Sequence, residues 1–388
     1  MRRCWSHSSP VVVLYRTPDL DPRDETVLAE IEELRSRLRY LVQEPRRWDR
    51  PLRRNLVARA IVGSNTIEGY TVSLDDAESV VAGADGHAES GDAALAAVAG
   101  YHEALAYVQQ AAQFEVFAYE EMLLSALHFM MLRHSLDSGP GRYRAGPILV
   151  TGGRGRPPAY VGPDPGWVPE LMAELTTWLQ TGDLDCPVYV RAAMAHLNLV
   201  SIHPWRDGNG RMSRCLHTLV LARDRVLAPE FSSIEEWLGM STVNTAEYYT
   251  ALAQVQGGSY LPDRDTHAWV RFTLRAHHLQ AQLVDQRVRA AKALWDKAVE
   301  STAELGLHER TAMALFSAAE GNLRRVTYAA DEALTRDQAL RDLNLLQRMG
   351  LIESAGGGVR RHYLATGRWR DSVREVLGTN EYLREPYE

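Results

Sequence analysis

The sequence predicts a mainly α-helical protein with one β-hairpin inserted in it and a smaller helix-and-hairpin module in its C-terminal part. Three observations carry that prediction. Apolar residues recur three and four apart through most of the chain, which is the helical period. The stretch 139–165 breaks this pattern with six prolines and seven glycines around short β-branched runs. The segment 263–305 holds neither Gly nor Pro, and it separates the main body from a tail with turn signals of its own.

In order along the chain, Val11–Tyr15 suggests one short strand and Glu25–Leu41 a charged helix. Arg53–Glu68 reads as a helix closed by Gly69, although Gly63 inside it is a poor helix former. Residues 83–91 form a loop, 92–113 are Ala-rich, and Tyr119–Ser135 is an apolar helical stretch. Within 139–165, the runs Ile148–Thr151 and Tyr160–Val161 flank a Gly-Gly-Arg-Gly centre and suggest a β-hairpin. Leu171, Met172, Leu175, Trp178 and Leu179 form a helical stripe that Gly182 stops. Ala192, Ala195, Leu199 and Ile202 form another, running into His203. His196 lies two turns earlier on that helix and reads as a core histidine in preference to half of a metal pair. Thr245 reads as the N-cap of a helix carrying Tyr248 and Tyr249.

From Val270 to Trp295, through Leu274, His277, Ala281, Val284, Val288 and Ala291, apolar positions alternate four and three apart. This heptad seam fits a strut that extends the last core helix. It fits a homodimeric coiled coil less well, because Ala and His make a weak seam. In the tail, His308–Ala319 and Thr327–Leu334 read as helices, and Thr335 with Gln338 as the capping box of a third. Leu340, Leu343, Leu346 and Met349 would face inward on that third helix. Leu351–Glu353 and Val359–Leu364 then flank a Gly-Gly-Gly turn as a hairpin.

Composition excludes several classes. Hydrophobic residues make up 45% and charged residues 24% of 388, as in soluble globular proteins with room for two or three domains. The net charge of −7 argues against polyanion binding by bulk electrostatics. Cys4, Cys186 and Cys215 have neither disulfide nor metal-ligand spacing, which favours a reducing cytosol. The N-terminal apolar run Val11–Leu14 is too short for a signal peptide or a membrane span, so a cytoplasmic protein without a membrane partner is expected.

The chemistry concentrates in His203–Arg214, HPWRDGNGRMSR. After Arg211 the apolar residues Cys215, Leu216, Leu219 and Val220 follow at helical spacing, so Gly208-Asn209-Gly210 is a turn that opens a helix. Bare backbone N–H groups and the helix dipole there favour phosphate. Arg211 and Arg214, three apart, share one face a turn further in. Asp207 is placed to hold Mg²⁺ on a polyphosphate. His203, at the end of the preceding helix, is placed to act on whatever attacks that phosphate. These are the parts of a phosphoryl- or nucleotidyl-transfer site.

The stretch resembles the signature of the Fic family, His-Pro-Phe-x-(Asp/Glu)-Gly-Asn-Gly-Arg-x-x-Arg, at eight of its nine specified positions. The departure is Trp205 in place of Phe, an aromatic anchor of the core. A second segment, SNTIEG, resembles the inhibitory-helix pattern of family members that restrain themselves, with Ser64, Glu68 and Gly69 matching. The resemblance implies a Fic helical core with a β-hairpin flap, and a tail that resembles a winged helix-turn-helix. The domains expected are 1–92 with an inhibitory helix at about 53–69, the catalytic core 93–305, and a winged-helix module 306–388.

The function implied is protein adenylylation, with ATP as donor, Mg²⁺ as cofactor and a Ser, Thr or Tyr hydroxyl as acceptor. His203 would be the general base and Asp207 the metal ligand. Gly208, Asn209 and Gly210 would cradle the phosphates, the Asn209 side chain steadying the α-phosphate, with Arg211 and Arg214 on the β- and γ-phosphates. Glu68 would pair with Arg214 and hold the enzyme off. Tyr248 and Tyr249 match a pair that lines the base pocket in relatives, although two aromatic residues packing a helix would read the same. A protein target would dock on the flap around Ile148–Val161, where a plain surface loop is the competing reading. Residues 336–374 carry eight Arg against four Asp or Glu, a local +4 suited to DNA, although wings of this type also serve protein contacts. Two other functions stay open. One is Fic-type transfer or removal of another phosphate-linked group. The other is DNA-binding regulation with a nucleotide-sensing site.

Overall fold

The computed structural model describes residues 13–42, 46–83, 93–150, 159–225, 228, 231–357, 361–378 and 382–388. Its helices are α1 (Pro22–Val42), α2 (Asp49–Ile67), α3 (Leu74–Val81), α4 (Ala93–Ala111), α5 (Glu121–Leu132), α6 (Val168–Thr181), α7 (Val188–Ile202), α8 (Asn209–Arg223), α9 (Glu235–Gly239), α10 (Thr242–Gln256), α11 (His267–Glu304), α12 (Thr311–Ala319), α13 (Arg325–Asp331), α14 (Arg336–Arg348) and α15 (Gly367–Leu377). Two antiparallel hairpins accompany them among the described residues. β1 (Leu149–Val150) pairs with β2 (Tyr160–Val161), and β3 (Ile352–Ala355) with β4 (His362–Ala365). The mainly helical class is therefore as the sequence predicts. The tips of both hairpins, 151–158 and 358–360, and the loop 84–92 lie outside the described residues. No helix among the described residues is long and apolar enough to cross a membrane.

α7 is the axle of the core. Every residue from Ala192 to Ile202 is buried, polar ones included, so this helix has no solvent face. It packs on α8, which is buried almost as completely. His196 sits inside this core with its Nε2 3.0 Å from the Tyr248 hydroxyl, as the core-histidine reading expects. The segment from Val13 to Leu20 is irregular where a strand was expected at 11–15. Its Tyr15 N–H instead donates to Asn198 Oδ1 of α7 at 2.8 Å.

α2 crosses α9 at Gly63. A Cβ at Gly63 would collide with the Glu235 carbonyl, and one at Gly239 would collide with the Gly63 backbone. The glycine that weakens the helix in isolation is thus what lets two backbones touch. Gly63→Ala is expected to lower the unfolding free energy by the ~1–3 kcal/mol typical of overpacking, read as a lower urea midpoint, although the same change in an open helix would stabilise. An unchanged or raised midpoint would contradict the crossing.

α11, 38 residues and roughly 57 Å at about 1.5 Å per residue, joins two cores. Trp269 to Leu279 belong to the main core, and Val284 to Ala298 to the core of the tail. The seam residues Val270, Leu274, His277, Val284, Val288 and Ala291 are buried within the chain, and Ala281 and Trp295 partly so. This is the strut arrangement. In the tail the Thr335–Gln338 capping box opens α14 as expected. Its inward face is Ala339, Asp342, Leu343 and Leu346, while Leu340 and Met349 are only partly buried. The short helices α3, α9 and α15 are additions that periodicity did not reveal. Trp369 of α15 is buried and donates its indole N–H to the Leu315 carbonyl of α12 at 2.9 Å.

Candidate active site

α7 ends at His203, whose φ of +51° is left-handed. Such a conformation costs a non-Gly residue ~1–3 kcal/mol and persists only where the surroundings impose it. Here it turns the half-buried imidazole out of the helix. His203 Nδ1 lies 3.0 Å from the Val200 carbonyl. A carbonyl only accepts, so Nδ1 carries the proton and Nε2 of the neutral ring keeps a lone pair. Burial lowers the His203 pKa from its ordinary value. Arg144 adds to this, while the Val200 carbonyl, Glu68 and Asp207 oppose it.

The turn after His203 is fastened from several sides. Trp205 is fully buried and stacks on His128 at 4.3 Å and 7°. His128 Nδ1 accepts from the Gly141 N–H at 2.8 Å, so its Nε2 donates to the Asp207 carbonyl at 2.9 Å. Burial, foremost, brings the His128 pKa down to about 4, so the ring is neutral in this role. Gly208 takes a φ of +76° with its Cα against Leu132, where a side chain would not fit.

Asn209 fastens the turn. Its Oδ1 accepts from the Trp205 N–H at 3.0 Å and its Nδ2 donates to the Trp205 carbonyl at 2.9 Å. The side chain closes the turn through one bond at each end, which leaves one amide N–H and one oxygen lone pair beyond those two bonds.

Both motif arginines are buried to 1% exposure. Arg214 donates through Nε to Ser64 Oγ at 2.8 Å, and through Nη2 to the Ser64 carbonyl at 2.9 Å and to Glu68 Oε1 at 2.8 Å. Burial works against its charge, but Glu68 more than offsets it, and the Arg214 pKa stands above the ordinary value. Arg211 lies over the Tyr70 ring at 5.1 Å, with its Nε and Nη1 without hydrogen-bond partners. Leaving such buried donors unpaired is costly, and an anion beside them would satisfy them. Asp207 is exposed. One of its oxygens accepts from the Gly208 N–H at 2.6 Å, and the other is 3.8 Å from Arg211 Nη2.

Glu68 is the C-cap of α2, and Gly69 after it takes a φ of +83°. The Glu68 carboxylate lies so close to Gly210 that a Cβ there would collide with it. An acid from another helix thus sits at the mouth of the α8 N-terminus. Tyr249 closes the same corner, donating to the Ile67 carbonyl at 3.1 Å. Tyr248, by contrast, is buried to 1% exposure against His196 and Trp269 and is part of the core under Arg214.

The sequence reading missed Arg144, His128 and Tyr70. Arg144 and His128 act on main-chain carbonyls, which leave no trace in the identity of their partners. Elsewhere, Asp21, Asp24 and His267 have metal-ligand spacing, but Arg271 already pairs with both aspartates.

The Fic/DOC family model matches residues 118–221, from α5 through most of α8. A curated protein adenylyltransferase Fic of Nematostella vectensis is 29% identical over 212 residues, 53% of this chain and 47% of that protein. The one of Aedes aegypti is 38% identical over 99 residues, 25% of this chain and 18% of that protein. The chain therefore spans less than half the length of these relatives. Among solved structures, a Fic family protein from Desulfovibrio desulfuricans G20 superposes with a TM-score of 0.56, over 90% of this chain and 98% of that one, at 24% identity. Residues 134–508 of Fic-1 from C. elegans superpose with a TM-score of 0.56 over 69% of this chain and 73% of that one, at 22% identity. These likenesses concern the fold. The His203–Arg214 turn lies inside the segment, 118–221, that matches the Fic/DOC family model, and the fold around it is one that solved Fic proteins share.

Proposed function

We propose that the protein is an adenylyltransferase that moves AMP from ATP to a Ser, Thr or Tyr hydroxyl of a protein, restrained by Glu68. The observation that carries this reading is the α8 N-terminus. Two fully buried arginines stand behind it, Arg211 has unpaired donors, and the Nε2 lone pair of His203 lies beside it.

The target oxygen would attack the α-phosphorus. Its proton goes to His203 Nε2, the bond from the α-phosphorus to the bridging oxygen breaks, and pyrophosphate leaves with the bonding electrons. The backbone N–H groups of Gly208, Asn209 and Gly210 and the guanidinium groups of Arg211 and Arg214 bind the triphosphate. Asp207, an exposed carboxylate, fits Mg²⁺, which when bound neutralises phosphate charge. The target segment would add as a strand to the outer edge of β1. β2 already has neighbours on both sides, since its Val161 N–H donates to the Gly258 carbonyl at 2.9 Å. Few cysteines suit a reducing compartment, and we assign the activity to the cytoplasm.

The test is a Glu68→Gly protein incubated in lysate with ATP labelled at the α- or the γ-phosphate. Label carried onto protein from the α-position alone supports the reading. Label from the γ-position, or none from either, overturns it.

A second reading, a duplex-binding tail, is favoured by the exposure of Arg336, Arg341 and Arg348 on α14. On that reading, replacing Arg336 and Arg341 with Ala in the full chain flattens the salt dependence of DNA binding by about one unit each. A slope that does not change, or no binding to a duplex at low salt, removes it.

A further inference from the structure

Arg144 lies outside the signature and is buried, yet it reaches three segments. Its backbone N–H donates to the Pro204 carbonyl at 2.9 Å. Its Nε donates to the His203 carbonyl at 2.8 Å, Nη1 to Gly146 at 3.0 Å, and Nη2 to Pro163 at 2.7 Å. Gly146 and Pro163 are the two roots of the β1–β2 hairpin. His203 and Pro204 are the strained turn that carries the base. One planar guanidinium therefore locks the hairpin roots and the catalytic turn into a single unit. A lysine has three donors but on a single nitrogen, so it cannot span carbonyls that meet three separate nitrogens of the guanidinium.

We propose that Arg144 is a positioning residue that couples the seat of the target strand on the hairpin to the aim of His203 at the incoming hydroxyl. This rests on the AMP-transfer reading. Arg144 also presents its charge to the His203 ring, which Glu68 and Asp207 face with the opposite sign.

The test compares Arg144→Lys and Arg144→Gln, both in a Glu68→Gly protein. Lysine keeps the charge and loses the fork, while glutamine loses both. Each should lower kcat by ~10²-fold, the cost of a misplacement of about 1 Å, with ATP affinity unchanged. Glutamine alone should move the acid limb of the rate to higher pH, because a cation that disfavours imidazolium is gone. The His203 imidazole signal, assigned by its loss in His203→Gln, should titrate higher in the same variant, and this readout does not depend on AMP transfer. A purely structural role would lower stability and leave both titrations in place. A folded glutamine variant with the parent kcat and titration overturns the proposal. If glutamine prevents folding, a lysine variant with the parent kcat overturns it equally.

Separate contacts bear on α2. Its C-terminal end delivers Ser64 and Glu68 to Arg214, while its N-terminal half is gripped by the tail module. Arg54 Nη2 meets Asp331 Oδ2 at 3.0 Å, with side chains only 12% and 3% exposed. Arg47 meets Glu332 at 2.6 Å just before the helix. Asn55 and Asn322, from α2 and the tail, both donate to Glu78 Oε1 of α3, at 2.5 and 3.3 Å. Arg324 pairs with Asp75. We infer that the tail module is a second restraint on the inhibitory helix, so that a ligand drawing the module away speeds AMP transfer.

Arg54→Asp or Asp331→Arg should raise self-labelling by ~10-fold or more and speed hydrogen exchange along α2. Removing one partner of a buried pair is strongly unfavourable. The double exchange Arg54→Asp with Asp331→Arg should restore both. Glu68→Gly is the control. If it labels while the folded single variants label and exchange as wild type, the clasp is wrong. If it does not label, the transfer reading fails, and the exchange rates alone decide the clasp.

Discussion

His203→Ala in a Glu68→Gly protein is expected to transfer AMP ~10²–10⁴-fold more slowly, the usual loss for a general base, while still binding ATP. The separation follows from the geometry. On the proposed reading the phosphate-binding groups are the N–H groups of the α8 turn and the guanidinium groups of Arg211 and Arg214, and none of them depends on the imidazole. The turn itself is held by the Asn209 amide, by His128 on the Asp207 carbonyl and by buried Trp205. What is lost is the Nε2 lone pair that the Val200 carbonyl leaves available.

The pH dependence has a definite sign. A base works when neutral, and burial lowers the His203 pKa, so the parent should keep its rate below the ordinary histidine value near 6.5. Glu68 pulls that pKa up, so the Glu68→Gly protein should have its acid limb lower still. Isotope-labelled AMP incorporation measured across pH, with ATP affinity by calorimetry, checks both. A His203→Ala protein that transfers AMP at the parent rate sinks the assignment.

How far such a site can be read from sequence depends on what the partners are. Where the candidate site rests on side-chain identity at fixed spacing, as with His203, Asp207, Arg211 and Arg214, the residues can be named from the sequence alone. Glu68 and Arg214 are distant in the chain, and their pairing came from a family pattern, with no local physics to require it. Where function rests on main-chain acceptors, nothing in the sequence marks it. Arg144 and His128 look like any buried cation and any helix histidine until the carbonyls of His203, Pro163 and Asp207 are located. Asn209 shows a second task of the same kind: its amide closes the tight turn on the Trp205 main chain, which its place in the motif does not reveal.

Short elements were lost for a different reason. α9 has five residues and no period to detect, and the N-cap of α10 is Ser241, whose hydroxyl oxygen accepts from the Asn244 N–H, rather than Thr245. The heptad in α11 was legible as a seam. Which surface would cover it was not, because that depends on where α1 and the tail fold back. Gly63 was readable only as a cost, since the backbone it admits belongs to α9.

Replacing Glu68 with Gly is expected to raise AMP incorporation strongly, and adding Arg214→Ala should remove the gain. In the resting chain Arg214 has three hydrogen bonds, two to Ser64 and one to Glu68. The Ser64 bonds hold the guanidinium in place and leave its charge uncompensated. The Glu68 carboxylate supplies the compensation, and it does so beside Gly210, where the helix dipole and bare N–H groups would otherwise draw a phosphate. A triphosphate entering with Glu68 present meets a carboxylate on its own binding groups. It must sit displaced, and a misplacement of about 1 Å costs ~10²-fold in rate. Glycine at position 68 removes the carboxylate and keeps the helix end, because Gly69 already supplies the left-handed turn after it. Arg214 then keeps its Ser64 contacts and turns its remaining charge to the β- and γ-phosphates. Alanine at 214 deletes that charge, so the double variant should fall to or below the wild-type rate even though nothing blocks the site. The measurement is the initial rate of AMP incorporation for wild type, Glu68→Gly, and Glu68→Gly with Arg214→Ala, at equal Mg²⁺ and ATP. A Glu68→Gly protein that folds, binds ATP and labels no faster than wild type would show that the Glu68–Arg214 pair is structural. A double variant as fast as Glu68→Gly would show that the freed arginine does not hold the triphosphate.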